Sequence, residues 1–287
     1  MKKIRKSLIS WLFLLPSLVG VLIFFVLPFA TVVQYALIDN PISGEYVGFA
    51  NFTALFKNPA FLMASKNTFS FSTCAVGLAV VLSLGLALML EEKIPAKSRL
   101  RTFFLSPLVV PTASVILIWQ VVFSFNGSFN TIIEFFGGEG IDWLKSEYSQ
   151  IVIILMFLWK NIGYNMVLFM AALSQIPKAQ LEAAEVDGAG AIRRFFVIKL
   201  RYISPALFFV ILLSLINSFK IFREVYLLTG GYPYESLYFL QHFMNNTFKS
   251  LDYQKLSAAA IIMSAVVLVI ILVIFLVENR LGKDVEE

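Results

Sequence analysis

Polar side chains that could bind a solute lie inside two long apolar runs of this sequence. Each group shares one helical face through spacings of one, three or four residues: Lys160, Asn161 and Tyr164 in one run, and Ser214, Asn217 and Ser218 in the other. Amide and hydroxyl groups can hydrogen-bond the hydroxyls of a polar solute, and the Tyr164 ring can stack on it. The alternative is that these groups join neighbouring helices by hydrogen bonds.

A second group of residues that could take part in binding consists of charged and small residues rather than apolar ones. It runs from Leu181 to Phe196, "LEAAEVDGAGAIRRFF", with four apolar runs before it and two after it. Strong helix formers precede Gly188, which permits a helix to end or turn, and Pro177 suits the start of a new helix. The pattern predicts two short helices at an angle, able to receive another protein closely at their alanines. The alternative is a solvated tether between two spans.

Several kinds of chemistry are disfavoured by what the sequence lacks. It has one cysteine, Cys74, and one histidine, His242, so no internal disulfide, multi-histidine metal site or catalytic triad is expected. The phosphate-binding pattern G-x-x-x-x-G-K-[ST] is absent, because "GAGAIRR" has the glycines without the Lys-Ser/Thr pair. We therefore expect a chain that is not an enzyme and holds no cofactor or metal.

The composition is that of an integral membrane protein. Of 287 residues, 59% are hydrophobic and 14% are charged, against about a quarter charged in soluble domains, and the mean hydropathy is +0.82. A hydrocarbon core of ~30 Å needs about 20 apolar residues in a helix. The sequence predicts an all-α membrane protein, a single transmembrane domain over 1–287, with six spans at about 11–37, 68–90, 102–125, 151–174, 203–219 and 256–277.

The distribution of Lys and Arg predicts the orientation of these spans. With a cytoplasmic N-terminus, fifteen of the 23 Lys and Arg residues fall in cytoplasmic segments and seven in outer loops. Both termini and the segment 175–202 are then cytoplasmic. The first run is longer than the apolar part of a signal peptide, so we expect an uncleaved anchor. A nucleic-acid-binding protein would combine its basic residues with aromatic platforms on a soluble fold. That combination is absent from this sequence, so no nucleic-acid partner is expected.

Charge inside the predicted spans bears on the source of energy. The six runs contain no Asp or Glu, and Lys160 is the charge that lies firmly within one of them. Proton- and sodium-driven transporters carry intramembrane acids, so energy is expected from another source. Lys160 is expected to line a solute path with its polar neighbours; the alternatives are that it snorkels or faces an acidic partner subunit.

The cytoplasmic segment resembles a motif of the permease subunits of bacterial ABC importers. That motif is E-A-A, three residues, G, nine residues, I, one residue, L-P. Here Glu182-Ala183-Ala184 is followed by Gly188, Ile198 and Leu200 at the same spacings. The departure is Arg201 in place of the motif proline, and Pro205 lies close enough to set the local bend instead.

Further stretches resemble the carbohydrate branch of these permeases, the maltose and glycerol-phosphate type, and in particular the first of the two permeases. They cover nearly the whole chain, at 11–29, 47–61, 101–111, 176–189 and 218–231. The resemblance implies a bacterial inner-membrane subunit that forms the path of a sugar importer. The alternative that the residues leave open is a stand-alone channel or facilitator whose cytoplasmic loop binds a regulator; a membrane-embedded enzyme is disfavoured.

The resemblance also implies partners and site residues. A second, different permease, two ABC ATPases holding ATP and Mg, and an extracellular sugar-binding protein are expected beside the lipid bilayer. The residues expected to form a coupling helix on the ATPase are Leu181, Glu182, Ala183, Ala184, Asp187, Gly188 and Ala189. Positions aligned with Lys160, Asn161, Tyr164, Ser214 and Ser218 line the substrate cavity in the family, and Asn217 is added because it shares their face.

Overall fold

The chain is helical throughout the part that the structure describes. The computed structural model describes residues 2–91 and 97–282, which form helices and connecting turns with one isolated antiparallel bridge between Ile38 and Tyr46. The predicted all-α membrane class is confirmed. Two of the fifteen Lys and Arg residues assigned to the cytoplasmic side, Lys93 and Lys283, lie outside the described residues.

The first part of the chain, up to Phe135, forms seven α-helices in its described residues. A π-helical turn at Leu22–Val26 links the first two helices. The helices are α1 (Lys2–Val21), α2 (Leu27–Leu37), α3 (Ala50–Phe56), α4 (Pro59–Glu91), α5 (Lys97–Val109), α6 (Thr112–Phe123) and α7 (Ser128–Phe135).

The second part alternates long helices with short ones. A π-helical turn at Phe195–Lys199 and a 3₁₀ turn at Glu235–Leu237 lie among them. The helices are α8 (Ser149–Leu173), α9 (Lys178–Val186), α10 (Ala191–Arg194), α11 (Leu200–Tyr202), α12 (Ser204–Lys220), α13 (Phe222–Thr229), α14 (Leu240–Lys249) and α15 (Tyr253–Gly282).

Six helical segments of the described residues are long and apolar enough to cross a membrane. A span of ~30 Å requires about 20 residues at 1.5 Å per residue. The segments are Phe13–Leu37, Pro59–Glu91, Thr112–Phe135, Ser149–Leu173, Ser204–Thr229 and Tyr253–Asn279.

The region of the predicted third span, 102–125, is not one continuous helix. α5 ends at Val109 and α6 begins at Thr112, with Pro111 in an extended conformation between them (φ −58°, ψ 142°). Proline has no N–H to continue the helical hydrogen-bond ladder. The chain therefore changes direction there, and the third candidate span starts after the break.

The region of the predicted fifth span, 203–219, extends further than its apolar run. α12 continues to Lys220, and α13 follows after Ile221 and ends at Thr229. Gly230 adopts a positive φ of 83°, which terminates α13. The added turns bring an acid, Glu224, into the helical segment.

The described residues divide into two compact units. The first comprises the chain up to Leu62 together with Met244–Val267, and the second comprises Met63–Phe243 with the chain from Leu268 onward. Within the first unit, the Asn51 side-chain amide donates to the carbonyls of Ala36 (3.0 Å) and Ile38 (2.8 Å). This contact fixes α3 against the end of α2.

The core of the second unit is aromatic and aliphatic. Phe71 of α4 packs edge-on against Phe157 of α8 at 5.8 Å between ring centroids, and against Phe239 at 5.1 Å. Val225 of α13 is fully buried in the same cluster. The cluster holds α8, the helix with the first polar group, against α4 and α13.

α5 and α8 approach each other at a glycine. A Cβ built on Gly163 would lie 1.8 Å from the carbonyl oxygen of Phe104 and 3.1 Å from the amide nitrogen of Leu105. Only the absence of a side chain permits this contact. α8, which leads directly into the segment containing α9, is therefore in backbone contact with α5.

Candidate functional site

The segment between α8 and α12 presents its charged and small residues to the outside of the fold. α9 contains no buried residue, and Glu182, Ala183 and Asp187 are exposed. Leu181, Ala184 and Ala189 are partly buried. The prediction of two short helices around Gly188 is confirmed, since α9 precedes it and α10 follows it.

Gly188 closes α9 through its backbone conformation. Its φ is +76°, and its N–H donates to the carbonyl of Glu185 at 3.0 Å. The N–H of Ala189 then reaches back to the carbonyl of Ala184 at 2.9 Å. This left-handed C-terminal cap satisfies carbonyls at the helix end and favours glycine over any residue with a Cβ.

Ion pairs are formed both within this segment and between it and α4. Arg194 of α10 pairs with Glu185 of α9 at 2.8 Å, and Lys199 pairs with Glu91 at the end of α4 at 2.5 Å. The first pair is solvent-exposed at Glu185, so it contributes little stability. The first pair links α10 to α9, and the second joins the segment to α4.

Arg201, which stands where the resembling motif has proline, lies inside α11. The helical axis is interrupted two residues later at Ile203, and Pro205 occupies the first turn of α12. The Ser204 hydroxyl donates to the carbonyl of Arg201 at 2.9 Å. The break between the loop and α12 is thus formed by Ile203 to Pro205, without a proline at 201.

The charge of Lys160 is compensated within the same chain. Its ammonium group forms an ion pair with Glu224 of α13, whose side chain is 9% exposed. In this conformation an acid 64 residues away in the same chain neutralises Lys160. That Lys160 snorkels or faces a partner subunit stays a prediction. Glu224 escaped the sequence analysis because it lies beyond the apolar run that defined the fifth span.

The two asparagines of the predicted polar groups bind each other. The Asn217 amide donates to the side-chain oxygen of Asn161 at 2.8 Å, and the Asn161 amide donates to the carbonyl of Phe157 at 2.8 Å. Both are partly buried, and Tyr164, one turn further along α8, is 37% exposed. Lys160, Asn161, Tyr164 and Asn217 therefore form a partly accessible polar surface, which we call the α8 polar surface.

The two serines of the predicted groups lie deeper than the α8 polar surface. Ser214 is fully buried and accepts a hydrogen bond from Asn165 at 2.8 Å. Ser218 is 2% exposed, donates to the carbonyl of Leu215 at 2.7 Å and lies 3.0 Å from the hydroxyl of Ser72. In this conformation both serines contact neighbouring helices rather than open space.

The structure identifies two polar partners that sequence reasoning missed, Asn165 and Ser72. Asn165 lies four residues after Asn161 on α8, so the continuing helical period could have found it. Ser72 lies on α4, 146 residues from Ser218. No spacing in the sequence relates those two residues.

His242 has a structural position rather than a reactive one. It is fully buried, its Nδ1 accepts the N–H of Phe239 at 3.3 Å, and the ring of Phe222 packs edge-on against it at 4.7 Å. Burial lowers the pKa of His242 to about 4, so the imidazole is neutral near pH 7. Among residues 2–91 and 97–282, no group of three His, Cys, Asp or Glu is placed to hold a metal.

Comparison with known proteins assigns this arrangement to a family. Residues 79–287 match the family of binding-protein-dependent transport system inner membrane components. The sn-glycerol-3-phosphate transport system permease protein UgpA of Pectobacterium atrosepticum is 32% identical over 272 residues, which cover 92% of each chain. UgpA of Yersinia enterocolitica is 32% identical over 270 residues, with 91% of each chain covered.

Solved structures share the fold. A chain from the crystal structure of a bacterial ABC transporter involved in the import of the acidic polysaccharide alginate superposes with a TM-score of 0.83 at 24% identity, covering 98% of this chain and 99% of that one. The alginate transporter in complex with its pentasaccharide-bound periplasmic protein gives the same TM-score with 98% of both chains covered. The chain described here belongs to the family of binding-protein-dependent transport system inner membrane components, the membrane permeases of ABC importers.

Proposed function

We propose that this permease carries a saccharide or a related hydroxyl-rich solute, as part of an importer driven by ATP hydrolysis in separate subunits. Its similarity to UgpA proteins, which are named for sn-glycerol-3-phosphate transport, supports a polyhydroxylated solute. The shared fold with an alginate importer is consistent with the same solute class. A second, different permease would complete the path, and an extracellular binding protein would deliver the solute to it.

The observation that carries the ATP-driven part of this proposal is the exposed helix α9, which Gly188 caps. Glu182, Ala183 and Asp187 are exposed, and Gly188 fixes the turn that follows. Small side chains permit close approach of a partner, and a helix transmits displacement along its length. We place the contact with an ABC ATPase at Leu181–Ala184 and Asp187–Ala189, with ATP and Mg bound by that partner.

We assign the solute contacts to the α8 polar surface. Asn161 and Asn217 offer amide groups, and Tyr164 offers a ring and a hydroxyl at the accessible edge. The Lys160–Glu224 pair places both signs of charge beside them without a net charge. Ser214 and Ser218 belong to the same region and would reach the solute only after α12 moves relative to α8 and α4.

The proposed orientation places both termini and α9 in the cytoplasm. The excess of Lys and Arg in the segments on that side supports it. Movement of the ATPases against α9 would then pass into α8, which precedes the loop, and into α12, which follows it. These two helices carry the proposed solute contacts, so this geometry connects the motor to the path.

The test of the ATPase contact is a pair of glycine substitutions in one loop. Gly188→Ala places a Cβ at φ +76°, which costs about 1–2 kcal/mol at such a position. Gly190→Ala, the matched control, lies in the same loop at φ −63°, and neither Cβ would meet an atom within 4 Å. Copurification of the ATPase subunit with the tagged permease should fall about tenfold for Gly188→Ala and stay unchanged for Gly190→Ala.

A transport assay separates the importer from the stand-alone facilitator. The full complex in proteoliposomes is supplied with radiolabelled maltose and sn-glycerol 3-phosphate as probes, together with the binding protein, with or without internal Mg-ATP. Uptake should require ATP. Equal uptake without ATP, or by the permease alone, would show a facilitator and refute the importer.

A further inference from the structure

A pocket outside the polar surface and outside α9 lies where α4 and α8 end and α5 begins. It has a volume of about 440 Å³, and three helices contribute to it at helical spacing. We call it the α4–α5–α8 pocket. Its lining residues are Ala87 and Glu91 of α4, Lys97 and Arg101 of α5, and Val167, Met170, Ala171, Leu173 and Ser174 at the end of α8.

The charges of this pocket are unbalanced. Lys97 and Arg101 lie one helical turn apart on α5, and neither has a carboxylate partner among the residues that the structure describes. Glu91, the acid in the lining, is already paired with Lys199 at 2.5 Å. Two cations therefore face a cavity whose acid is neutralised elsewhere.

The rest of the lining is apolar apart from Ser174. Val167, Met170 and Ala171 share one face of α8, and Ala87 of α4 also lines the pocket. Two cations in a lining that is otherwise largely aliphatic complement a molecule that is anionic at one end and hydrocarbon at the other. A free phosphate would leave the aliphatic wall without a partner, and a neutral saccharide would leave both cations without one.

We propose that the α4–α5–α8 pocket binds one anionic phospholipid of the cytoplasmic leaflet. Arg101 and Lys97 bind the phosphate group by charge-assisted hydrogen bonds, and the first carbons of an acyl chain lie against Met170 and Val167. The location follows from the orientation given under the proposed function, which places this end of α8 at the cytoplasmic face. Anionic lipids are enriched there, and basic pockets between membrane helices attract their headgroups.

The bound lipid would touch Leu173 and Ser174, the last residues before the loop that contains α9. It would therefore support the start of the coupling loop from the membrane side. A partner permease or ATPase seated in the same pocket would exclude the lipid.

The test measures lipid retention by the intact complex rather than transport. The purified complex is delipidated in detergent, titrated with phosphatidylglycerol or phosphatidylcholine in mixed micelles, and examined by native mass spectrometry. The charge variant is Lys97→Gln/Arg101→Gln. The matched control is Arg99→Gln/Arg193→Gln, which removes the same charge from residues that do not line the pocket.

The wild-type complex should retain phosphatidylglycerol at least about tenfold better than phosphatidylcholine. The charge variant should lose that preference, and the matched control should keep it. A second variant, Ala171→Phe, fills the pocket without changing charge and should also lose retention, which covers a failure of the charge variant to assemble. Equal retention of both lipids, equal loss in the control, or no retention because a subunit covers the pocket would overturn the proposal. Displacement by millimolar inorganic phosphate would show a phosphate site instead. None of these readouts depends on which solute is transported.

Discussion

At the scale of single residues, the Lys160–Glu224 pair dominates the polar chemistry of α8. Removing one partner leaves the other charge without its counter-ion in a largely buried place, which costs about 3 kcal/mol by analogy with other buried pairs. Glu224→Leu and Lys160→Met should each lower the thermal stability of the purified complex. The double variant Lys160→Met/Glu224→Leu should recover most of the loss, as measured by a double-mutant cycle. Additive losses would mean that the two side chains do not interact.

His242 predicts a pH dependence of stability. Its folded-state pKa of about 4 lies below the unfolded value of 6.5, so the unfolded chain binds a proton that the folded chain excludes. Stability is then complete above pH 6.5 and is lost as the pH falls toward 4, by about 2 kcal/mol at pH 5. Thermal unfolding of wild type and His242→Gln at pH 7 and pH 5 isolates this contribution. A variant that loses as much stability as wild type between these values would contradict it.

Residue-level prediction from the sequence succeeded where the neighbours are local. Gly188 was identified from the helix formers before it, because a helix cap is determined within a few residues. Glu224 and Ser72 were missed because their partners lie 64 and 146 residues away. The burial of Ser214 and Ser218 was not predicted either. Helical periodicity predicts which residues share a face but not which other helices pack against that face.

At the scale of helices, the contact between α5 and α8 requires a glycine at position 163. Gly163→Ala would force its Cβ to within 1.8 Å of the Phe104 carbonyl oxygen, a backbone atom that cannot rotate away. We expect a loss of about 3 kcal/mol or more through overpacking, seen as a lower melting temperature and lower yield of folded protein.

The control for this contact is Gly77→Ala on α4. A Cβ at Gly77 would meet no atom within 4 Å, and alanine favours a helix over glycine by about 1 kcal/mol. Gly77→Ala should therefore keep or raise the melting temperature of the purified permease. Equal stability of the two variants would show that α5 and α8 do not meet closely at Gly163.

Helix positions were easier to predict than helix interruptions. Apolar run length located the six membrane segments, because the bilayer imposes a length of about 20 residues. The break at Pro111 was missed although the proline was visible, since prolines such as Pro107 are accommodated within helices of this chain. At the start of α12, by contrast, Pro205 lies in the first turn of the helix and does not interrupt it. Arg201, at the position of the motif proline, stays helical.

At the scale of the whole molecule, the predicted orientation can be tested with single cysteines. Cys74 is first replaced by alanine, and Ile42→Cys or Val186→Cys is introduced at positions that are 98% and 88% exposed. A membrane-impermeant maleimide added to spheroplasts should label the cysteine at 42, and should label the one at 186 only after the membrane is permeabilised. The opposite pattern would reverse the orientation and place α9 outside.

The ion pair of Lys160 with Glu224 also has a consequence for the response to membrane voltage. A lone charge crossing the whole membrane field exchanges about 2.3 kcal/mol per 100 mV. Because the two charges are opposite and paired, the electrical work on them cancels in any movement that keeps the pair intact. As far as this pair is concerned, the rate of transport should be the same with and without a membrane potential. Glu224→Gln leaves the charge of Lys160 unpaired and should make the rate depend on an imposed potassium diffusion potential.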